Sequence, residues 1–502
     1  MGSLQFHQVR TRFAPSPTGH LHLGNVHTAL FAWLFARNAG GTFLVRFEDT
    51  DLERLIPGAE EAILEDLRWL GLDWDEGPDL GGAYGPYRQS ERGDHYARAA
   101  ARLLEAGHAY HCFCTPEELA ERRAAALARG EPPRYDGRCR RLSRAEAARR
   151  RQELAAAGRQ PALRFRLPDE EREIVIQDLI HGPTTFHTRD LDDFLLVRPN
   201  GVPLYNFAVV VDDWTMAITH VIRAEEHLSN TPRQVLLFEA LGAPVPAFAH
   251  LPMLLGPGHR KLSKREQATT LRQYRDEGYL PEALLNYLAL LGWSAPSGRE
   301  FLSKQELVEA FTLDRVGKSA AVFDRERLAW LNREYLRQLG ADDLWLRLCP
   351  FLEACGAPLI GAEEERERLR RAMQVFRGEV STLAALAREL QPYLRARRLV
   401  PEGEAAQLLL GADVPTVLAR AEAILRLVPE EEWQPERLSV VLHRLPSELG
   451  WGVGKVFRPL RAALTGRSSG PELPVVLWLL GKELTLARLG AYNQVVSEDR
   501  AE

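Results

Sequence analysis

Between residues 9 and 48 the hydrophobic period changes three times, and few folds accept that order. Residues 9–14 (VRTRFA) alternate as a strand does, while residues 15–24 (PSPTGHLHLG), with two prolines and two glycines, suit neither regular element. Residues 25–36 place Val26, Ala29, Leu30, Trp33 and Leu34 at helical spacing, and residues 42–48 (TFLVRFE) read as a second strand. Strand, turn, helix, strand opens a doubly wound nucleotide-binding sheet, whose ligands sit beyond the carboxyl ends of its parallel strands. The Pro/Gly segment is therefore the first place to expect a ligand.

The residues of that segment suit an anionic one. Gly19 and Gly24 admit close approach of a phosphate, the following helix directs its amino-terminal N–H groups at an anion, and His22 can donate a hydrogen bond as charge develops there. Much further on, a glycine-rich turn at residues 256–258 precedes Lys261-Leu262-Ser263-Lys264-Arg265, whose two ammonium groups suit a pyrophosphate leaving group. Taken singly, one segment is a loop with a surface histidine and the other a solvated basic loop. In this order they resemble the HIGH and KMSKS signatures of class I aminoacyl-tRNA synthetases.

Further blocks narrow the resemblance. TRFAPSPTGHLHLGN (11–25), VRFEDTD (45–51), YRQSER (87–92), VIRAEEHLSNTPRQ (221–234), KLSKR (261–265), GYLPEALLNYLALLGW (278–293) and GKVFRPLRAALTG (454–466) are together similar to the bacterial glutamyl-tRNA synthetases. That family implies an α/β Rossmann-type catalytic domain with an inserted α+β acceptor-binding domain, followed by an all-α anticodon-binding region. On this chain the expected segments are 1–90 with 203–258 for the catalytic domain, 91–202 for the insertion, 259–338 for a stem-contact region and 339–502 for the helical part. Within them, strands are expected at 205–211 and 217–223 and a helix near Thr231-Pro232. Residues 115–160 are rich in Ala, Arg and Glu, and helices are expected at 281–291, 304–310, 325–336, 344–355 and 363–375.

The resemblance implies that L-glutamate is bound by Arg12, Ala14, Ser16, Glu48, Tyr205 and Arg223, and ATP with its Mg²⁺ by Ser16, His22, Gly24, Glu226 and the loop Lys261–Arg265. His22, Lys261 and Lys264 then carry the catalytic role. The residue chemistry agrees, since a dicarboxylic amino acid needs cations for its carboxylates and an acceptor for its ammonium group. Arg12 and Arg223 read otherwise as strand-end ion pairs with Glu48 or Glu225, and which arginine takes which carboxylate stays open. Arg223, absent from the sister glutaminyl enzymes, is expected to select glutamate over glutamine.

Three departures from the family pattern carry consequences. The second histidine of HIGH is Asn25; an asparagine that many relatives carry is Val209; and the arginine that discriminating members set against the third anticodon base falls at Glu379 or Gly378. The last leaves two readings of the acceptor, tRNA-Glu alone or tRNA-Glu and tRNA-Gln. Cys112, Cys114 and Cys139 resemble a family zinc site, but its histidine is Arg141 here, leaving His111 or Tyr135 to complete a tetrahedron, or three reduced thiols and no metal. Basic clusters at Arg370–Arg371, Arg395/Arg397/Arg398 and Arg458/Arg461 are expected to meet anticodon-arm phosphates.

The formal charge of −5 excludes a wholly basic nucleic-acid binder without excluding a basic groove. No apolar run approaches the about 20 residues of a membrane helix, and the first residues lack a secretory apolar core, so a cytoplasmic monomer is expected. Two rivals stand beside the ligase: an enzyme that glutamylates a modified tRNA base, disfavoured by the long helical second half, and an inactive tRNA-binding scaffold, disfavoured by intact KLSKR, His22 and Glu48.

Overall fold

The computed structural model describes residues 8–256, 258, 270–357, 363–394, 399–401 and 403–498. Lys261, Leu262, Ser263, Lys264 and Arg265 lie outside the described residues, as do Arg395, Arg397 and Arg398. The chain divides into two units, one of Met1–Arg275 with Pro281–Leu328 and one of Asp276–Leu280 with Ala329–Glu502.

The first unit opens as its sequence pattern requires. Strand β1 (Arg10–Phe13) leads through the Pro/Gly segment into helix α1 (Leu23–Asn38), and β2 (Thr42–Val45) returns parallel to β1, pairing Arg12 with Leu44. Helix α1 starts two residues earlier than its apolar spacing predicts because His22 and Asn25 close a capping box. The Asn25 N–H donates to His22 Nδ1 at 3.4 Å, and the His22 N–H donates to Asn25 Oδ1 at 3.5 Å. Helices α2 (Ala59–Leu70) and α3 (Gly93–Glu105) follow.

The insertion is then built on a three-stranded antiparallel sheet. Its strands β3 (Ala109–Cys112) and β4 (Ala162–Phe165) are separated by helices α4 (Pro116–Ala128) and α5 (Arg144–Ala156), each begun by a Ser/Thr-to-Glu capping box. Strands β5 (Glu173–Asp178) and β6 (Gly182–His187) form a hairpin, and β7 (Leu195–Val197) completes the first sheet in the order β3-β4-β7.

Here the structure corrects an expected strand. Residues 205–211 belong to helix α6 (Tyr205–Thr215), not to a strand. A short apolar run buried on all sides carries no usable period, and the three valines at 209–211 favour a strand only while nothing else decides. What decides is Asp212 and Asp213 at the end of the run, which in the helix meet Arg92 and Arg12 respectively. Strand β8 (His220–Ala224), helix α7 (Thr231–Ala240) with Pro232 in its first turn, and β9 (Ala247–Leu251) then give the sheet β6-β5-β9-β8.

Strands β8 and β9 are parallel, with Arg223 opposite His250, and β5 joins β9 where Asp178 faces Phe248. The Thr219 N–H donates to Arg10 O at 3.0 Å, so β1 borders β8. Phe207, Val210, Val221, Leu237 and Phe248 share one buried core beneath these strands. Arg12 and Arg223 therefore emerge side by side at one end of the parallel strands.

The second unit is helical throughout its described residues. It includes Ala341–Ala354, Glu363–Phe376, Leu383–Leu390, Val414–Arg426, Val453–Thr465 and Leu473–Glu498, the last broken at Gly481, whose φ is 77°. Arg488 is fully buried there, donating to Pro392 O, Leu464 O and Leu394 O at 2.6, 2.5 and 2.8 Å. One side chain thus ties two segments, 392–394 and the end of Val453–Thr465, to its own helix through their carbonyls.

Candidate functional site

A cavity of about 610 Å³ opens where β1, α1 and β8 meet. It is lined by every expected site residue outside the Lys261–Arg265 loop: Arg12, Ala14, Ser16, His22, Gly24, Glu48, Tyr205, Arg223 and Glu226. Val209, which stands where many relatives carry an asparagine, packs in the core and is not among the lining residues.

The His22 ring is set by the helix it caps. Because Nδ1 accepts from the Asn25 N–H, the proton of the neutral ring sits on Nε2, which makes that nitrogen a donor at the positive end of α1. Gly24 keeps this arrangement possible, since a Cβ there would stand 3.2 Å from both Cε1 and Nδ1 of His22.

Beneath the cavity lies a lattice of buried charge. Arg12 donates to both carboxylate oxygens of Asp213 at 3.1 and 3.3 Å, and Arg46 donates to Asp213 Oδ1 at 2.7 Å and Glu48 Oε1 at 3.3 Å. Asp212 is held by Arg92 at 2.6 Å, Gln89 at 2.8 Å and the Tyr96 hydroxyl at 3.0 Å. Burial opposes the charge of Asp213, yet Arg12 and Arg46 outweigh it and hold the carboxyl below the usual range. Burial pushes the Glu48 carboxyl up, against the opposing pull of Arg46 and Arg12. In the alternative reading Arg12 would pair with Glu48 or Glu225; its ion pair here is with Asp213. Only the acidic pair in an otherwise apolar run, Asp212-Asp213, signalled this partner in the sequence.

Arg223 is arranged differently. Its Nε–H donates to His250 Nε2 at 3.2 Å and its Nη2 to Thr231 Oγ1 at 2.9 Å, while buried Nη1 has no hydrogen-bond partner and no carboxylate pairs with the guanidinium among the described residues. Burial lowers its pKa from the ordinary arginine value. His227, 3.2 Å from the Tyr205 hydroxyl, is neutral, its pKa lowered to about 4 by burial and then by Arg223. The cavity therefore presents both a buried cation with donors to spare and the Glu48 carboxylate. That arrangement suits an anion and an ammonium group on one small molecule.

The thiols of the insertion also converge. The Sγ atoms of Cys112, Cys114 and Cys139 lie within 4.8 Å of one another, and the Tyr135 hydroxyl is 3.7 Å from Cys112 and 3.8 Å from Cys114. Arg164 donates to Cys112 Sγ at 3.3 Å with its guanidinium 3.8 Å over the Tyr135 ring. Burial raises the Tyr135 phenol and keeps it protonated. Arg141 donates to Asp136 O, and His111 is not part of the cluster.

In the helical unit, Gly378 O accepts from Arg337 at 2.8 Å and Arg337 also pairs with Glu334. Of the expected basic clusters, Arg370 pairs with Asp342 and Arg458 with Glu404. No described helix is long and apolar enough to cross a membrane.

Residues 8–330 match the family described as tRNA synthetases class I (E and Q), catalytic domain, and residues 343–492 match an anticodon binding domain. A glutamate–tRNA ligase of Carboxydothermus hydrogenoformans is 48% identical over 474 residues, covering 94% of this chain and 97% of that protein. One from Symbiobacterium thermophilum is 46% identical over 490 residues, covering 96% and 99%. The crystal structure of a glutamate tRNA ligase from Elizabethkingia meningosepticum in complex with its amino acid superposes with a TM-score of 0.84 at 35% identity, covering 97% of this chain and 99% of that one.

Proposed function

The chain belongs to the class I tRNA synthetases for glutamate and glutamine and is a glutamate–tRNA ligase, and from that premise we propose how its cleft divides the work. L-Glutamate binds with a carboxylate on Arg223 and its ammonium group facing Glu48, with Arg12, Ala14, Ser16 and Tyr205 completing the pocket. ATP, carrying Mg²⁺, lies along the amino terminus of α1 against Ser16, His22, Gly24 and Glu226, and Lys261 to Arg265, outside the described residues, are assigned to it by the family resemblance. The observation that carries this reading is the unpaired Nη1 of Arg223, buried in the same cavity as Glu48.

The chemistry needs no side-chain nucleophile. A glutamate α-carboxylate oxygen attacks the ATP α-phosphorus, the bond to the bridging oxygen breaks, and pyrophosphate leaves with the electron pair. His22 Nε2–H and the α1 N–H groups stabilise charge on the α-phosphate, and Lys261 and Lys264 neutralise the leaving group. A ribose hydroxyl of the tRNA 3′-terminal adenosine then attacks the mixed anhydride, forming the ester and releasing AMP. Glutamate-dependent ATP–pyrophosphate exchange, run with and without tRNA, tests the assignment; no exchange in either condition refutes it.

The acceptor includes tRNA-Gln as well as tRNA-Glu. Position 378 bears no side chain and 379 a carboxylate, and the neighbouring Arg337 is engaged by Gly378 O and Glu334, so neither position offers the guanidinium that the resemblance sets against a base in discriminating relatives. Charging purified tRNA-Glu and tRNA-Gln side by side decides it, and charging of tRNA-Glu alone overturns it. The enzyme acts in the cytoplasm as a monomer.

The thiol cluster does not fit a closed zinc centre. Such a site takes four ligands; Cys112, Cys114 and Cys139 supply three, Arg141 none, and the fourth would require Tyr135 to give up its phenol proton. Arg164 provides the positive charge against Cys112 instead. Metal analysis is expected to give well below one zinc per chain; a full equivalent that is lost in Cys139→Ser would overturn this.

A further inference from the structure

Three adjacent strands of one sheet carry a connected polar chain behind the cleft. Arg223 on β8 faces His250 on β9 in the parallel register, and Asp178 ends the neighbouring β5. A guanidinium only donates, so the 3.2 Å contact from Arg223 Nε–H requires a lone pair on His250 Nε2. The ring proton then sits on Nδ1, 2.6 Å from Asp178 Oδ2. Asp178 is itself fixed: Oδ1 accepts from the N–H groups of Ile180 and His181 at 2.9 and 2.8 Å, and Oδ2 from the His250 N–H at 3.1 Å. Arg223, His250 and Asp178 are all buried, and only Arg223 lines the cavity.

We propose that Asp178 and His250 are positioning residues for substrate selection: Asp178 fixes the His250 tautomer, and His250 holds the Arg223 guanidinium so that Nη1 faces the substrate carboxylate. This rests on the reading of Arg223 as a glutamate ligand. Protonation of His250 would set one donor against another and release Arg223 from its place. The groups facing His250 are Asp178 from β5, Arg223 from β8, His181 beyond β5 and His227 before α7; burial, Arg223 and His181 keep the ring neutral against the pull of Asp178.

The substitutions separate positioning from mere packing. In Asp178→Asn the two backbone N–H groups retain an oxygen at the Oδ1 position, which turns the amide nitrogen toward His250 Nδ1 and inverts the tautomer, so Nε2–H meets Arg223. In His250→Asn the acceptor for Arg223 is lost, whereas the longer amide of His250→Gln can place Oε1 where Nε2 stood. Glutamate and ATP kinetics with tRNA-Glu, between pH 5.5 and 8, are the measurement.

Asp178→Asn and His250→Asn are expected to raise the glutamate KM about tenfold or more, the loss of one hydrogen bond to a charged group, with the ATP KM within about twofold. His250→Gln is expected to stay within about threefold and to lack the acid-side rise in glutamate KM that protonation of His250 is expected to cause in the parent enzyme. Equal effects of His250→Asn and His250→Gln, or parallel shifts in glutamate and ATP, overturn the relay. Arg223→Ala, measured alongside, separates the failures: if it raises the glutamate KM while His250→Asn does not, the relay alone is wrong; if it leaves glutamate binding intact, the underlying reading falls and the relay with it.

Discussion

Replacing Arg223 by alanine should damage glutamate recognition without damaging ATP recognition. Arg223 is 4% exposed, and its Nη1 carries two N–H groups with no acceptor among the described residues. Two hydrogen bonds to a substrate carboxylate at about 1.5–3 kcal/mol each, discounted for non-additivity, come to roughly 3–4 kcal/mol. At about 1.4 kcal/mol per tenfold, kcat/KM for glutamate should fall roughly 10²- to 10³-fold. Stability should change far less than for a paired buried ion, because the folded protein already leaves this cation without a carboxylate. Pyrophosphate exchange in the presence of tRNA, titrated separately in glutamate, glutamine and ATP, reads all of this. The preference for glutamate over glutamine should collapse, since a neutral amide gains least from the cation. Equal losses in the glutamate and ATP constants would show that Arg223 only supports the fold, and the argument from its unpaired nitrogen would be refuted.

Other expectations are narrower. Gly24→Ala adds a methyl 3.2 Å from the His22 ring within the first turn of α1, where alanine is the better helix former; thermal stability should hold or rise while exchange activity drops about tenfold or more. A matching loss of both would show that the glycine serves packing. His27, buried and 2.7 Å from Leu291 O, has its pKa lowered to about 4 by burial. Between the unfolded value of 6.5 and 4 the unfolded chain binds the extra proton, so stability declines as pH falls through that window, by roughly 3 kcal/mol in all at 1.36 kcal/mol per unit. His27→Gln, which keeps a donor for the carbonyl, should flatten denaturant midpoints over that range, and an unchanged slope would assign the loss elsewhere. Arg488→Met leaves three carbonyl groups unsatisfied in the helical unit and should lower its unfolding midpoint sharply in urea; a shift below about 1 kcal/mol would mean that those carbonyls find other donors.

The first forty or so residues were legible because a Pro/Gly segment between two clear periods leaves few choices, and the cleft around Ser16, His22 and Gly24 followed from it. What failed to show was non-local. The run from Tyr205 to Val211 has strand composition and becomes a helix because Asp212 and Asp213 must reach guanidiniums from distant segments. Likewise Arg12 was placed at a strand end but not with its partner, 201 positions away. His250 and Asp178 were missed altogether, since a lone histidine and a strand-end aspartate carry no pattern until the strand order β5-β9-β8 sets them in line. Local geometry is written in periods; the pairing of buried charges is written only in topology.

That pairing also bears on synthesis. Arg12, Arg46 and Arg92 leave the ribosome before the carboxylates that neutralise them, separated by 201, 167 and 120 positions from Asp213 or Asp212. At about 5–20 residues per second the first waits roughly 10–40 s. Until then, closing β1 and β2 over α1 would bury Arg12 without its carboxylate and leave Arg46 with Glu48 alone. The backbone pairing of the sheet β3-β4-β7, by contrast, is complete once Val197 has emerged, although Leu163, Phe165 and Leu196 share their core with Phe207 to Val211 of α6. The strands of the interrupting segment can therefore pair before the domain they interrupt closes, and two adjacent aspartates act as the timer for the catalytic half.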